Sequence, residues 1–234
     1  MTGRLVALLL ALAAPAAAAW AETAEGNVAC STALALGLDV SSSIDSVEHR
    51  LQRQGLAAAF RDEAVADAIL GGSGGGIMAA VYEWSGYHQQ EVIVDWTWLG
   101  DRAAIGAFAD RLDGQARRND SWPTSLGRAV EFAARLHGEN PRRCTRRVID
   151  ISGDGVNNHG AGPDWYAARG MLDGYTVNGL AIQGAVPDPA AYYRDRLIHG
   201  PGAFVEIADD FHDYHRAILR KLLRELQAPI AMVR

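Results

Sequence analysis

Two short apolar segments, each with an aspartate at or just past its carboxyl end, constrain the fold of this chain more than any other feature of its sequence. The first spans Ala33 to Val40 and leads into three serines, and the second spans Arg147 to Ser152 and leads into Gly-Asp-Gly. Nearly continuous apolar runs of this length are typical of parallel strands that are covered on both faces. The pattern therefore predicts two central strands that bring Asp39 and Asp154 to their carboxyl ends.

Helical and strand-like segments alternate along the rest of the chain. Further strands are predicted at Ile77 to Trp84, Glu91 to Trp98, Thr176 to Gln183 and Ala203 to Ala208. Helices are predicted from Ser43 or Asp45 to Leu70, from Asp101 to Leu112, from Thr124 or Ser125 to Leu136, from Asp164 to Leu172, from Pro189 to Leu197 and from Phe211 to Leu226. Such alternation implies an α/β fold with a doubly wound sheet and helices on both faces. The bend at Ser85 to His88 predicts an antiparallel pair of strands at one edge.

Composition and charge narrow the class of protein. Hydrophobic residues make up 49% and charged residues 21% of the 234 positions, which is ordinary globular usage, and this length favours one domain. The formal net charge is -6, so the sequence lacks a general basic field for phosphate backbones and we expect no nucleic-acid partner. The local basic run from Arg142 to Arg147 is interpreted as a solvated surface.

The first residues of the sequence indicate the cellular compartment in which the mature protein is located. Arg4 precedes the apolar run from Leu5 to Ala19, and a small-x-small cleavage pattern follows at Ala19 to Ala21. This arrangement predicts a signal peptide over residues 1–21 and a periplasmic or secreted mature protein. The run has about 15 residues where a spanning helix needs roughly 20, so an uncleaved anchor is the weaker alternative and we expect no stable membrane insertion after cleavage. Residues 22–32 are expected to form a lead-in, residues 33–227 the folded domain and residues 228–234 a tail.

The chain has two cysteines, Cys30 and Cys144, and an even pair in an exported protein favours a disulfide. Cys30 lies nine residues before Asp39, and Cys144 lies ten residues before Asp154. If the two central strands are parallel neighbours about 4.8 Å apart, both cysteines sit near the amino ends of those strands and come within bonding range. We therefore predict a Cys30–Cys144 disulfide at the edge of the sheet opposite the two aspartates.

Oxygen donors gather where the predicted strands end. Asp39-x-Ser41-x-Ser43 places a carboxylate and two hydroxyls at alternate positions after the first strand, and Thr124 and Asp154 lie in two other loops at the same edge. Ligands bind at this edge in α/β sheets, and a hard cation such as Mg²⁺ prefers oxygen ligands. Taken alone, Asp-x-Ser-x-Ser more often caps a helix than binds a metal ion.

These motifs resemble the metal-ion-dependent adhesion site of von Willebrand factor A domains. The resemblance covers roughly Ala33 to Leu226 and rests on the order and strand context of the three motifs as well as on their residue types. It is greatest to an exported bacterial branch whose members lack an assigned activity. The resemblance implies a six-stranded, mostly parallel sheet with one antiparallel edge strand, flanked by helices, and a divalent ion at its carboxyl edge.

The resemblance also implies a role for each residue of the motif. Ser41 and Ser43 would bind the ion through their hydroxyls, Thr124 would bind it directly or through water, and Asp39 and Asp154 would act largely through water. The ion would be Mg²⁺, with Mn²⁺ or Ca²⁺ as alternatives. One coordination position would remain for an Asp or Glu carboxylate of a protein partner, so the leading hypothesis is a non-enzymatic binding module.

Two alternatives remain open from the sequence. One is a metal-assisted hydrolase, for which His159 and Asp150 are the candidate bases near the ion. Against a role for His159, a histidine in a loop is more often simply solvated. The other alternative is a stable scaffold whose metal site is vestigial.

Overall fold

The computed structural model describes residues 30–72, 74–114 and 121–226, and six strands within these ranges form one sheet. The strands are β1 (Cys30–Asp39), β2 (Ile77–Trp84), β3 (Gln90–Leu99), β4 (Cys144–Gly153), β5 (Thr176–Ile182) and β6 (Val205–Ala208). Their order across the sheet is β3-β2-β1-β4-β5-β6. Only β3, at one edge, runs antiparallel to its neighbour in this sheet of the described residues. The predicted doubly wound, mostly parallel sheet with one antiparallel edge strand is confirmed.

Helices cover both faces of the sheet. Those of the described residues are α1 (Ser46–Arg61), α2 (Glu63–Gly71), α3 (Arg102–Asp113), α4 (Leu126–Gly138), α5 (Pro163–Ala167), α6 (Pro189–Tyr192) and α7 (Tyr214–Leu226), and α6 continues into a π-helical turn over Tyr193–Leu197. Leu34, Leu36 and Leu38 of β1 pack in the core that includes residues of α1 and α7, whereas Ala35 belongs to the core beneath α4. Because β1 is buried on both faces, its sequence is continuously apolar instead of alternating.

Two predicted helices differ from those observed. The helix expected to reach Leu70 is divided at Asp62, which leaves the helical conformation at φ -66° and ψ 134° and accepts a 2.8 Å hydrogen bond from the backbone N–H of Ala64 to cap α2. The helix expected at Asp164 to Leu172 contains only the five residues of α5. A series of turns follows it, and Gly170 adopts a left-handed φ of 71° that no helix can continue through.

The disulfide prediction is confirmed at the amino edge of the sheet. Cys30 and Cys144 are directly paired in the parallel ladder of β1 and β4, their Cα atoms lie 4.4 Å apart, and their sulfurs are bonded. The strand β1 begins at Cys30, three residues before its predicted start, because pairing with β4 extends down to the disulfide.

Several predictions concern the ends of the chain. The expected signal peptide over residues 1–21, most of the lead-in and the tail over residues 228–234 lie outside the described residues. Within the described part of the chain, no helix has both the length and the hydropathy needed to cross a membrane.

Candidate metal centre

The candidate site lies where β1 and β4 end. Asp39 is the last residue of β1, and Asp154 directly follows the last residue of β4. Because these strands are parallel neighbours, their carboxyl ends leave the sheet at the same edge. The two aspartates that the sequence placed on separate strands are therefore brought to one end of the sheet.

The loop after β1 turns its serine hydroxyls toward Asp154. The backbone N–H of Ser41 donates a 2.8 Å hydrogen bond to Oδ1 of Asp39, which folds the loop back on the end of the strand. The hydroxyl oxygens of Ser41 and Ser43 lie 3.2 Å apart, and the Ser43 hydroxyl donates a 2.9 Å hydrogen bond to Oδ1 of Asp154. We call these three oxygens, from Ser41, Ser43 and Asp154, the oxygen ladder.

The start of α1 leaves the Ser43 hydroxyl available for this role. The side chain of Asp45 caps α1, accepting hydrogen bonds from the N–H groups of Val47 and Glu48 at 2.7 and 2.9 Å. The Glu48 carboxylate completes a capping box with the N–H of Asp45 at 2.8 Å. Of the two predicted caps, Asp45 fills the position, so Ser43 does not serve as the helix cap.

The oxygen ladder suits a small hard cation. Six oxygens placed about 2.1 Å from Mg²⁺ form an octahedron whose edges are about 3.0 Å long. The two spacings within the ladder, 3.2 and 2.9 Å, are close to that edge length. The donor set, two hydroxyls and one carboxylate, is also the oxygen chemistry that such a cation prefers. The residues present thus fit a divalent ion.

Thr124 reaches the same place from the segment before α4. The N–H of Thr124 donates a 2.9 Å hydrogen bond to Oδ1 of Asn158, and its carbonyl oxygen accepts hydrogen bonds from the N–H groups of Asn158 and His159 at 2.9 and 3.2 Å. The Ser125 hydroxyl, a predicted helix cap, instead donates to the carbonyl of His159 at 2.7 Å. The segment before α4 is thereby held against the loop after β4.

A cleft of about 300 Å³ opens over these groups. Ser43, Thr124 and Asp154 line it, together with Asn158 and the exposed Val186. Asp39 and Ser41 are fully buried and lie behind the cleft. The structure therefore presents three of the five predicted ligands to the cleft and holds the other two beneath them.

Electrostatics at the site follow from its burial. Partial burial raises the pKa of Asp154 from its ordinary value, and the hydrogen bond from Ser43 opposes this shift. Burial also raises the pKa of Tyr193 well above 10, with a further contribution from the charges of Asp39 and Asp154. Tyr193 therefore remains a neutral phenol beside these carboxylates.

Gly153 makes the close packing behind the cleft possible. A Cβ atom on Gly153 would lie 2.7 Å from both Oδ2 of Asp39 and the hydroxyl of Tyr193. Any side chain at this position would displace one of them. Sequence reasoning missed both Gly153 and Tyr193. Tyr193 carried no sequence signal, because it reaches the site from a π-helical turn far along the chain. The polar residues that follow Asp154 are the sequence feature that could have pointed to Asn158.

The two candidate catalytic bases have different surroundings. Oδ1 of Asp150 lies 2.5 Å from Nζ of Lys221 in the protein interior, and Asp150 is four residues, or about 13 Å of strand, before Asp154. Asp150 is thus committed to a buried ion pair and does not face the cleft. His159 is exposed, and its ring centroid lies 6.0 Å from that of Tyr87.

Solved structures with the same fold are von Willebrand factor A domains. The proximal thread matrix protein 1 from the mussel byssus, in a structure with a zinc-occupied MIDAS motif, matches with a TM-score of 0.56 at 15% identity, covering 86% of this chain and 48% of that chain. The von Willebrand factor type A protein from Catenulispora acidiphila matches at 0.52 and 15%, covering 85% and 43%. The pilus adhesin SpaC from Lactobacillus rhamnosus GG, in an open conformation, matches at 0.58 and 15%, covering 86% and 30%.

These comparisons define the fold class. The chain has the von Willebrand factor A fold, and it spans less than half the length of these three solved chains. The chain belongs to the family described as protein of unknown function DUF1194, whose sequence profile matches residues 29–230. A search of curated proteins finds no match to this sequence.

Proposed function

We propose that this chain is an exported binding module that holds a divalent metal ion at the carboxyl edge of its sheet and uses the ion to bind a carboxylate on a protein partner. The observation that carries the proposal is the oxygen ladder of Ser41, Ser43 and Asp154, whose two spacings are close to the edge length of a Mg²⁺ octahedron and two of whose residues, Ser43 and Asp154, line an open cleft. The fold supports a binding function, since the similar solved structures include a pilus adhesin and a thread matrix protein. The resemblance of Asp39-x-Ser41-x-Ser43, Thr124 and Asp154 to a metal-ion-dependent adhesion site supports the same function.

Each side chain has a distinct part in this proposal. Ser41 and Ser43 would supply hydroxyl oxygens to the ion, and Thr124 would complete the set from the opposite side of the cleft. Asp39 would contribute negative charge largely through water, and Asp154, whose Oδ1 belongs to the oxygen ladder, would contribute its charge from beside the Ser43 hydroxyl. Bound there, Mg²⁺ or a similar divalent ion supplies a positive charge with an open coordination position. Because the serine and threonine hydroxyls are neutral, an incoming carboxylate would be attracted to that position.

The rim of the cleft favours a protein as the partner. Val186 is 97% exposed and lines the cleft with Ala185 and Pro187. A fully exposed valine beside a polar site offers an apolar contact of the kind that protein interfaces bury. The partner would therefore present an Asp or Glu with an apolar neighbour.

Export fits the covalent structure of the domain. The Cys30–Cys144 disulfide is of a kind that persists in oxidising compartments, which agrees with the predicted signal peptide over residues 1–21. A periplasmic or secreted location would place the cleft where surface partners are available.

Isothermal titration tests the metal site. The purified protein with its disulfide intact is titrated with Mg²⁺ and Mn²⁺, beside the Ser43→Ala variant and an Asp39→Ala, Ser41→Ala double variant. Ser46→Ala serves as the matched control, because Ser46 is an exposed serine three residues from Ser43 and lies outside the cleft. We expect saturable binding in the wild type and the control, and its loss in the other two variants.

The partner is tested second. Capture of a protein from cell-envelope extract should require Mg²⁺, be reversed by EDTA and be absent with Ser43→Ala. A folded wild type that binds neither metal would contradict the metal site and favour a scaffold with a vestigial site.

A further inference from the structure

A second cleft, of about 460 Å³, opens at the amino-terminal edge of the sheet. It is bounded by the start of β4, the turn before β5, the segment before β6 and the last turn of α7. Arg146, in this cleft, lies eight residues before Asp154, so about 26 Å of strand separates the cleft from the candidate metal centre. The two sites are on opposite edges of the same sheet.

The cleft concentrates positive charge. Arg146, Arg147 and Arg224 all line it. Among the described residues, none of the three has a carboxylate within ion-pair distance. Arg146 Nη1 donates a 2.9 Å hydrogen bond to the carbonyl oxygen of Glu225, and Arg147 Nη1 donates one of 3.4 Å to the hydroxyl of Tyr175.

Glu225, the one carboxylate among the described residues that line the cleft, is already paired with Lys221. Oε1 of Glu225 accepts hydrogen bonds from Nζ of Lys221 and from Nδ2 of Asn178, both at 2.8 Å, and the Glu225 side chain is almost fully buried. Glu225 therefore does not compete strongly for the three guanidinium groups. The cleft carries a net positive charge in a protein whose total charge is negative.

Aromatic rings hold two of the guanidinium groups in place. The Arg147 guanidinium lies 4.3 Å from the ring centroid of Tyr175, and that of Arg224 lies 3.8 Å from the ring centroid of Phe204. A stacked guanidinium keeps its N–H edge available for a bidentate contact with an oxyanion. Gly174, at a left-handed φ of 78°, leaves room for Arg147, because a Cβ there would lie 2.5 Å from Nη2 of that arginine.

We infer that this cleft binds a small molecule through its phosphate group. Arg146 and Arg224 both lie beside the end of α7, and their guanidinium groups suit the charge and the acceptor oxygens of a phosphate dianion. Arg147, the next residue along β4, points to the opposite face of the sheet, where it stacks on Tyr175, and adds positive charge from the edge of the cleft. The cleft has the size of a small-molecule site. The ligand is free inorganic phosphate or a phosphate monoester, and the two share the group that the arginines recognise. The basic run that the sequence suggested was a solvated surface thus contributes two of the three cationic groups to a concave site.

Titration calorimetry with two probes tests the inference. Inorganic phosphate and phenyl phosphate are titrated into the disulfide-intact protein in a chloride-containing, phosphate-free buffer. EDTA is present throughout so that a metal ion at the opposite edge does not contribute. Tighter binding of phenyl phosphate would identify a monoester as the ligand type, and equal or tighter binding of inorganic phosphate would identify the free anion.

Charge-matched variants show whether the cleft is responsible. Arg224→Gln should weaken phosphate binding about tenfold or more, as expected for losing a charge-assisted contact. Arg147→Gln should weaken it less, because it removes only a longer-range attraction. Arg143→Gln changes the net charge equally at an exposed position outside the cleft and should leave the affinity unchanged. Circular dichroism confirms that each variant is folded. The inference is overturned if neither probe saturates at millimolar concentration, or if Arg143→Gln weakens binding as much as Arg224→Gln does.

Discussion

The hydroxyl of Ser43 donates a 2.9 Å hydrogen bond to Oδ1 of Asp154 across 111 positions of sequence. The two residues meet because β1 and β4 are parallel neighbours whose ends lie at the same edge of the sheet. Ser43 is free to make this contact because Asp45 caps α1. Asp154 directly follows Gly153, the last residue of β4, so its position depends on the backbone at the end of that strand. Gly153 also leaves the space that Asp39 and Tyr193 occupy behind the site.

Gly153→Ala should disrupt the packing of Asp39 and Tyr193 beneath the candidate metal centre. The new methyl group would lie within 2.7 Å of Oδ2 of Asp39 and of the Tyr193 hydroxyl, so one of these groups must move. Overpacking of this kind costs about 1–3 kcal/mol of unfolding free energy. We also expect at least tenfold weaker Mg²⁺ binding, roughly the effect of losing one well-placed ligand contact.

Urea denaturation and metal titration measure the two effects of Gly153→Ala. Gly106→Ala is the control, because no atom lies within 4 Å of a Cβ at that helical position. Alanine should be neutral or stabilising by up to about 1 kcal/mol there. Wild-type metal affinity in Gly153→Ala would contradict the expected displacement of Asp39.

Asp150 should make stability depend on pH. Burial and the nearby carboxylate of Glu225 raise the pKa of Asp150 to about 7, against the opposing charge of Lys221. Between about pH 3.9, the ordinary value for an unfolded aspartate, and about pH 7, the folded protein holds a proton that the unfolded chain has released. The contribution of Asp150 to the unfolding free energy therefore decreases as the pH rises through this window and is constant above it.

Asp150→Asn tests that pH dependence, because asparagine does not titrate. Urea denaturation at about pH 5 and about pH 8 gives the unfolding free energy of the variant minus that of the wild type at each pH. This difference should be more positive at about pH 8 than at about pH 5. The comparison of variant with wild type removes contributions from other groups, such as His137, whose pKa burial lowers to about 4. An equal difference at both pH values would mean that Asp150 is ionised throughout. Asp95→Asn, at an exposed position of β3, should show no such difference.

Lys221 should be far more sensitive to substitution than its exposed neighbour. Nζ of Lys221 lies 2.5 Å from Asp150 and 2.8 Å from Glu225, and all three side chains are buried. Lys221→Met would leave two buried carboxylates without a cation, and the expected loss is about 3–5 kcal/mol of unfolding free energy. Arg220→Met removes only an exposed guanidinium paired with Glu206 and should cost less than about 1 kcal/mol. Similar losses for the two variants in chemical denaturation would refute this account of the cluster.

Removing the disulfide should lower stability without affecting the metal centre. Cys30 and Cys144 close a loop with a sequence separation of 114, and removing such a crosslink typically costs about 2–5 kcal/mol. Because the disulfide is at the amino edge of the sheet, a Cys30→Ser, Cys144→Ser double variant should bind Mg²⁺ with unchanged affinity while it remains folded. Denaturation and titration of the same preparation check both statements, and a coupled loss of affinity would contradict the separation of the two edges.

Much of this architecture could be predicted because it depends on local sequence patterns. The apolar runs of β1 and β4 indicated buried parallel strands, and the similar spacings of nine and ten residues from each cysteine to its aspartate indicated the pairing of Cys30 with Cys144. Helix boundaries were harder to predict. Asp62 ends α1 and caps α2. Whether the chain continues as one helix or divides here depends on how α2 packs in the core as well as on the local sequence.

The sequence by itself determined the strand order along the chain, the disulfide partners and the presence of oxygen donors at the strand ends, because each follows from periodicity, composition or spacing. Only the tertiary structure decided which distant groups meet. It set the Ser43–Asp154 contact, committed Asp150 to Lys221, placed Tyr193 behind Gly153 and brought Arg224 to the same cleft as Arg146 and Arg147. These contacts join residues from separate elements, and their distances depend on the packing of helices against the sheet, which no local pattern encodes.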